Sequence, residues 1–121
     1  MSVRVLVVED EALIALDIAD QLTHAGFQVI GPAASVAKAL KLITDVGCDI
    51  AVLDVNLRDE TAGAVARELR LKRTPFLFLS AVSKDQLPSD FHGEVLLSKP
   101  APADVLVATL KKSLSRQLDL K

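Results

Sequence analysis

Residues 3–11 read Val3-Arg4-Val5-Leu6-Val7-Val8-Glu9-Asp10-Glu11. The first six residues are too few and too β-branched for a core helix. They also lack the polar alternation of a half-solvated strand. They read as a strand buried on both faces, the signature of a parallel sheet. The run then stops abruptly at three carboxylates. The same arrangement recurs downstream. Ile50-Ala51-Val52-Leu53 runs into Asp54, Phe76-Leu77-Phe78-Leu79 ends at Ser80, and Val95-Leu96-Leu97 ends in Ser98-Lys99-Pro100. Phe27 to Ala33 is a weaker strand, interrupted by Gly31-Pro32.

Helix-length segments separate these strands. Glu11 to Ala25 places Ile14, Ile18, Leu22 and Ala25 on one face, and Gly26 supplies the stop. Ser35 reads as the N-cap of a helix to about Val46, with Val36, Leu40 and Ile43 as its stripe and Gly47 at its end. A polar loop, Val55 to Thr61, precedes a helix from about Ala62 to Leu71. Ser83 to His92 is polar, contains Pro88, and has room only for a short or irregular fourth helix. Pro102 suits the first turn of a last helix carrying Leu106, Leu110 and Leu114 in register. Five buried strands alternating with helices predict an α/β fold: a flavodoxin-like, doubly wound, five-stranded parallel sheet. Its strand order is expected to be 2-1-3-4-5, with helices on both faces.

Composition fits one such domain. The chain has 121 residues and a mass of 12.9 kDa, a length that suits a single unit. We expect one domain over 1–121, with a core of about 3–115 and a short tail, 116–121, too small for an output domain. A net charge of −2 and the absence of Trp and Tyr argue against a nucleic-acid binder, which would be basic and rich in stacking surfaces. One cysteine, Cys48, excludes an internal disulfide and a multi-cysteine zinc site. Cys48 itself reads as a small core residue. No apolar run has the length of a membrane span or a signal-peptide core, so a reducing cytoplasm is expected.

In a parallel sheet of this kind, ligands bind at the carboxyl ends of the strands. Glu9, Asp10, Glu11, Asp54, Asn56, Ser80 and Lys99 should therefore meet along one edge. Carboxylates at close range repel, and a hard divalent cation removes that cost. Asp10 and Asp54 fit as the carboxylate ligands of Mg²⁺, with a backbone carbonyl at Asn56 as a third ligand and Glu9 acting through water. A carboxylate is also a nucleophile able to form an acyl phosphate. Lys99 and Ser80 would offset charge on phosphoryl oxygens. Taken singly, the same residues have plainer readings. Glu9-Asp10-Glu11 suits a helix N-terminus, Asp54 a turn, Ser80 a cap, and Lys99 a solvated surface. His24 and His92 read as surface residues, and Arg70-Leu71-Lys72-Arg73 as the solvated end of the third helix.

Four segments together, Val5 to Glu11, Val52-Leu53-Asp54-Val55-Asn56-Leu57, Leu79-Ser80-Ala81 and Leu97-Ser98-Lys99-Pro100, resemble the receiver domain of two-component response regulators. The resemblance implies that Asp54 accepts a phosphoryl group from a phosphohistidine on a sensor histidine kinase or histidine phosphotransferase. It implies that Glu9 and Asp10 form the acidic pair around Mg²⁺. Ser80 becomes the switch hydroxyl and Lys99 the lysine on the phosphoryl oxygens, followed by Pro100 across a bond that is often cis. Output would pass through contact with a downstream protein or a phosphorelay, from a monomer or homodimer, with no turnover of free substrate.

The chain departs from the family pattern in two places. Leu96 stands where the family carries a rotating aromatic, and Lys99 follows Ser80 by only 19 positions. Asp54 to Arg58, Pro75 to Ser80 and the Leu87 to Pro100 stretch resemble the FAT GUY subgroup, many of whose members are single-domain. Its Gly-Tyr is replaced here by Ala81-Val82. Two rival readings follow. One is a degenerate receiver that binds a partner without phosphorylation. The other is a small phosphatase with an aspartyl nucleophile resembling the haloacid-dehalogenase group. Asp54-Val55-Asn56 argues against the latter, because it follows the third strand and lacks the second Asp. No glycine-rich nucleotide motif occurs.

Overall fold

The computed structural model describes residues 2–58, 60–81 and 87–119. Five long strands form one parallel sheet: β1 (Arg4–Val8), β2 (Gln28–Ala33), β3 (Ile50–Leu53), β6 (Phe76–Ser80) and β7 (Leu96–Ser98). Their order is β2-β1-β3-β6-β7, which is the predicted 2-1-3-4-5 once the long strands alone are counted. β4 (Asn56–Leu57) and β5 (Glu60–Thr61) make a separate antiparallel hairpin.

The helices are α1 (Ala12–His24), α2 (Val36–Asp45), α3 (Gly63–Leu71) and α4 (Ala103–Asp119). Alternation along the central strands sorts them. Val5, Val7, Ile50 and Val52 pack with Ile18 and Leu22 of α1 and Leu106 and Leu110 of α4. Leu6, Val8, Ala51 and Leu53 pack on the other face with Ala39 and Ile43 of α2 and Val65, Ala66 and Leu69 of α3. Both faces of β1 and β3 are thus dry, which is why their sequences are continuous apolar runs.

Local chemistry sets the boundaries. The Ser35 side chain accepts the Lys38 N–H at 3.2 Å and so starts α2 as expected. The weak point in β2 is Gly31-Pro32, a cis bond where the pairing of β1 with β2 shifts register. Gly31 has φ +95°, and a Cβ there would lie 2.8 Å from the Ala33 nitrogen and 3.2 Å from the Val7 oxygen, so only glycine fits.

Four expectations are corrected. The Val55–Thr61 loop carries the β4–β5 hairpin, with Leu57 buried beneath it. Ile14 is 36% exposed, and Ala15 takes its place facing the sheet. The last helix runs to Asp119, so residues 116–119 continue it and are no tail. β7 is Leu96–Ser98, one residue later than read. Among the described residues between β6 and β7, the only helical element is a single 3₁₀ turn, Ser89–Phe91. The fourth helix expected from Ser83 falls partly on residues 82–86, which lie outside the described residues. Among the described residues, no helix is long and apolar enough to cross a membrane.

Candidate functional site

The parallel ladders bring the strand ends together. Val8 and Leu53 are register partners in β1 and β3, so Glu9 and Asp54, the next residue on each, emerge side by side. The Asp54 N–H donates to the Val8 carbonyl at 2.9 Å, and the Glu9 N–H donates to the Ala33 carbonyl at 2.9 Å. On the far side, the Lys99 N–H donates to the Ser80 carbonyl at 3.0 Å. These backbone hydrogen bonds thus fix Glu9, Asp54 and Lys99 at the sheet's edge.

The side chains then converge. The Lys99 ammonium donates to Glu9 Oε1 and, at 3.1 Å, to Asp54 Oδ2. Glu9 Oε2 accepts the Glu11 N–H at 3.2 Å, which turns its carboxylate away from solvent. Glu9, Asp10 and Asp54 each place one carboxylate oxygen within 4.8 Å of the others. Glu9 and Asp54 are buried, and Asp10 is half-buried. Burial pushes the Glu9 carboxyl above the usual carboxylate range. The hydrogen bond from Lys99 opposes this, and neighbouring Asp54 adds to the rise. Burial opposes the charge on Lys99, but hydrogen bonds to Glu9 and Asp54 win, and Lys99 is held above its ordinary value.

Three carboxylates against one ammonium leave the cluster short of positive charge. All the donors are oxygens, two of the three residues are fixed in the core, and the third faces solvent. That set suits a hard divalent cation such as Mg²⁺.

The sequence-predicted residues are distributed as follows. Glu9, Asp10, Asp54 and Lys99 meet directly. Ser80 ends β6 fully buried beside them, its backbone carrying Lys99. Asn56 begins β4 and pairs with Thr61. Lys99-Pro100 is cis. Leu96 is half-buried against the α2–α3 face of the core and pairs with Phe78. His24 and His92 are exposed, each ring bonded to a backbone carbonyl nearby. Cys48 is partly buried against the core.

Arg70 corrects the reading of a merely solvated helix end. Its guanidinium lies 4.7 Å from the Phe91 ring centroid, donates to Glu94 at 2.8 Å and caps the Asp90 carbonyl at 3.0 Å. Arg67, three residues earlier, lies 5.1 Å from the same ring. Arginines three apart on one helix, with a lone aromatic in the next polar segment, were the only sequence signal of this cluster. Arg58 and Glu60 were missed because the hairpin that carries them is two residues per strand, below what periodicity can detect.

Comparison with known proteins gives a consistent picture. Residues 5–111 match the model of the response regulator receiver domain. The chain is 31% identical over 117 residues to the transcriptional regulatory protein PdtaR of Mycobacterium tuberculosis, covering 93% of this chain and 57% of PdtaR. It therefore spans a little over half the length of that curated relative. The solution structure of SdrG from Sphingomonas melonis is 36% identical with a TM-score of 0.78, covering 97% of each chain. A CheY-like receiver domain protein from Methanospirillum hungatei superposes over the full length of both chains with a TM-score of 0.88 at 20% identity, a likeness of fold.

Proposed function

The chain belongs to the response regulator receiver domain family, and from that premise we propose that it is switched by transfer of a phosphoryl group to Asp54. The donor is a phosphohistidine on a sensor histidine kinase or histidine phosphotransferase. The observation that carries the reading is the Lys99 ammonium seated between Glu9 and Asp54, a fixed cation on the carboxylate that would react.

The chemistry follows from the residues. An Asp54 carboxylate oxygen attacks phosphorus, forming a mixed anhydride. The donor's second ring nitrogen carries a proton, so when the P–N bond breaks and its electron pair stays on nitrogen, the ring leaves as neutral imidazole. Burial strips Asp54 of competing water, and the sheet fixes its orientation, so little reorganisation is needed. Lys99 meets the phosphoryl oxygens as they turn from the donor. The Ser80 hydroxyl, at the end of the adjacent strand, is the group that senses the new oxygens. Asp10 and Asp54, with the Asn56 carbonyl and Glu9 through water, would hold Mg²⁺, which supplies the positive charge the cluster lacks. A related protein, SdrG, has been solved in a BeF3-activated conformation, and BeF₃⁻ is an anionic mimic of a phosphoryl group. Signalling then passes to a downstream protein or along a phosphorelay, as expected of a switch that turns over no free substrate.

Intact-protein mass spectrometry after incubation with acetyl phosphate tests the assignment. Wild type should gain one phosphoryl group only when Mg²⁺ is present, and Asp54→Ala should gain none. Full labelling of Asp54→Ala would remove Asp54 as the acceptor.

A further inference from the structure

We propose that Arg58 captures the phosphoryl donor, from a cavity beside Asp10 that forms the entrance to the acceptor; this rests on the reading of Asp54 above. The acidic cluster meets solvent at Asp10. Glu9 and Asp54 are 2% and 7% exposed, whereas Asp10 is half-buried and faces outward. A cavity of about 300 Å³ opens there, lined by Asp10, Ala34, Ser35, Arg58 and Glu60. The cavity on the Lys99 side is smaller, about 110 Å³, and largely apolar, with Ile14, Ile18, Leu79, Pro100 and Leu106 in its wall. Lys99 lines that cavity too, but so does Asp17, and the mostly apolar wall suits a phosphoryl dianion less well.

Arg58 is placed there by design of the hairpin. Leu57 is buried and anchors β4 in the core. Leu57 pairs with Glu60 across the ladder, which puts Arg58 at the turn. The Glu60 carboxylate accepts the Val36 N–H at 3.0 Å, tying the hairpin to the start of α2. Of the two carboxylates that line the cavity among the described residues, Glu60 is thus committed to the backbone and Asp10 to the acidic cluster. Among the described residues, Arg58 makes no ion pair and is the one cationic side chain in the cavity wall. An anionic donor approaching three carboxylates is repelled, and a guanidinium at the mouth offsets that repulsion and offers paired N–H groups to phosphoryl oxygens.

The test uses acetyl phosphate at varied concentration, in Mg²⁺, with labelling followed by mass spectrometry. Arg58→Ala should raise the half-saturating concentration about tenfold, as expected for loss of one charged hydrogen bond, with the maximal rate within about twofold of wild type. Arg58→Lys should recover most of the loss. A merely structural role would lower the maximal rate or the melting temperature instead. Unchanged half-saturation in Arg58→Ala, or a fall in maximal rate alone, would overturn the proposal. Titration of acetyl phosphate into Asp54→Ala, followed by NMR, separates the two readings, because no transfer can occur. Weaker binding in Asp54→Ala/Arg58→Ala than in Asp54→Ala supports donor capture even if wild type is never labelled. Equal binding rejects donor capture even if Asp54 is the acceptor.

Discussion

At the carboxyl end of β6, Lys99 lies among buried carboxylates; near its amino end, Arg67 and Arg70 lie over the ring of Phe91. The Lys99 side chain is 16% exposed, against 54% and 41% for the two arginines. Lys99 is held in a cluster that folding alone would not favour, since burying unbalanced carboxylates is costly. The arginines face an aromatic surface and half-exposed acids, where a cation loses little hydration. On the function proposed above, the first site serves chemistry. The second fastens a segment with little secondary structure of its own to α3, through Arg70 on Asp90 and Glu94 and through Phe91 against Phe76 and Phe78. Charge therefore means different things at the two ends of one strand, and burial of the partner decides which.

The largest effect should come from removing the ring on which the second site is built. Phe91 is fully buried, with edge-on contacts to Phe76 at 6.4 Å and Phe78 at 5.7 Å. Phe91→Ala should cost about 3–5 kcal/mol, a loss on the order of 10–15 °C in melting temperature. Urea unfolding checks this. A loss below about 1 kcal/mol would mean the arginines sit on a ring the fold does not need.

At the first site the order of effects should reverse. Lys99→Ala should slow labelling by acetyl phosphate on the order of a hundredfold, the scale of losing one preorganised electrostatic group. Its affinity for Mg²⁺ should change far less. Asp10→Asn should do the opposite, weakening Mg²⁺ markedly. Mg²⁺ titration beside labelling rates separates the pair. If Lys99→Ala lost more metal affinity than labelling rate, the two roles would be exchanged.

The two sites also differ in how far sequence exposes them. Glu9, Asp10, Asp54 and Lys99 were legible because each follows an apolar strand, and parallel topology fixes where strand ends go. Ser35 and Pro102 marked their helices for similarly local reasons. The Phe91 cluster was not legible, because it depends on side chains from α3, β6 and a 3₁₀ turn meeting in space. Ile14 misled because helical periodicity identifies a face but not how far around the helix the sheet reaches. The β4–β5 hairpin was hidden because two residues have no period.

Arg70→Ala tests the fastening role with a smaller change. The ion pairs of Arg70 are partly solvated, so their loss with the ring contact should cost about 1 kcal/mol. The cost should shrink in high salt for the Asp90 and Glu94 share and persist for the share that comes from packing on Phe91. Urea curves at two ionic strengths read this directly. A loss that salt abolishes entirely would reduce the second site to surface ion pairing.

The smallest effect concerns another cation, Arg4, which tests the rule that burial decides. Arg4 is strapped to Asp49 and to the Val46 carbonyl, close to Cys48. A nearby guanidinium ordinarily lowers a thiol's pKa and makes it reactive. Here burial dominates and pushes the Cys48 thiol up to about 11, while Arg4 and Asp49 act in opposite directions. Native protein should therefore alkylate slowly with iodoacetamide at pH 8, and urea should release the reaction. The linkage has a definite sign. The unfolded thiol ionises near 9.0 and the folded one near 11, so between those values the unfolded state holds fewer protons. Stability should fall as pH rises through that window and be unaffected below it. Cys48→Ala should flatten that slope. Rapid alkylation of the native protein at pH 8 would show that Arg4 prevails over burial.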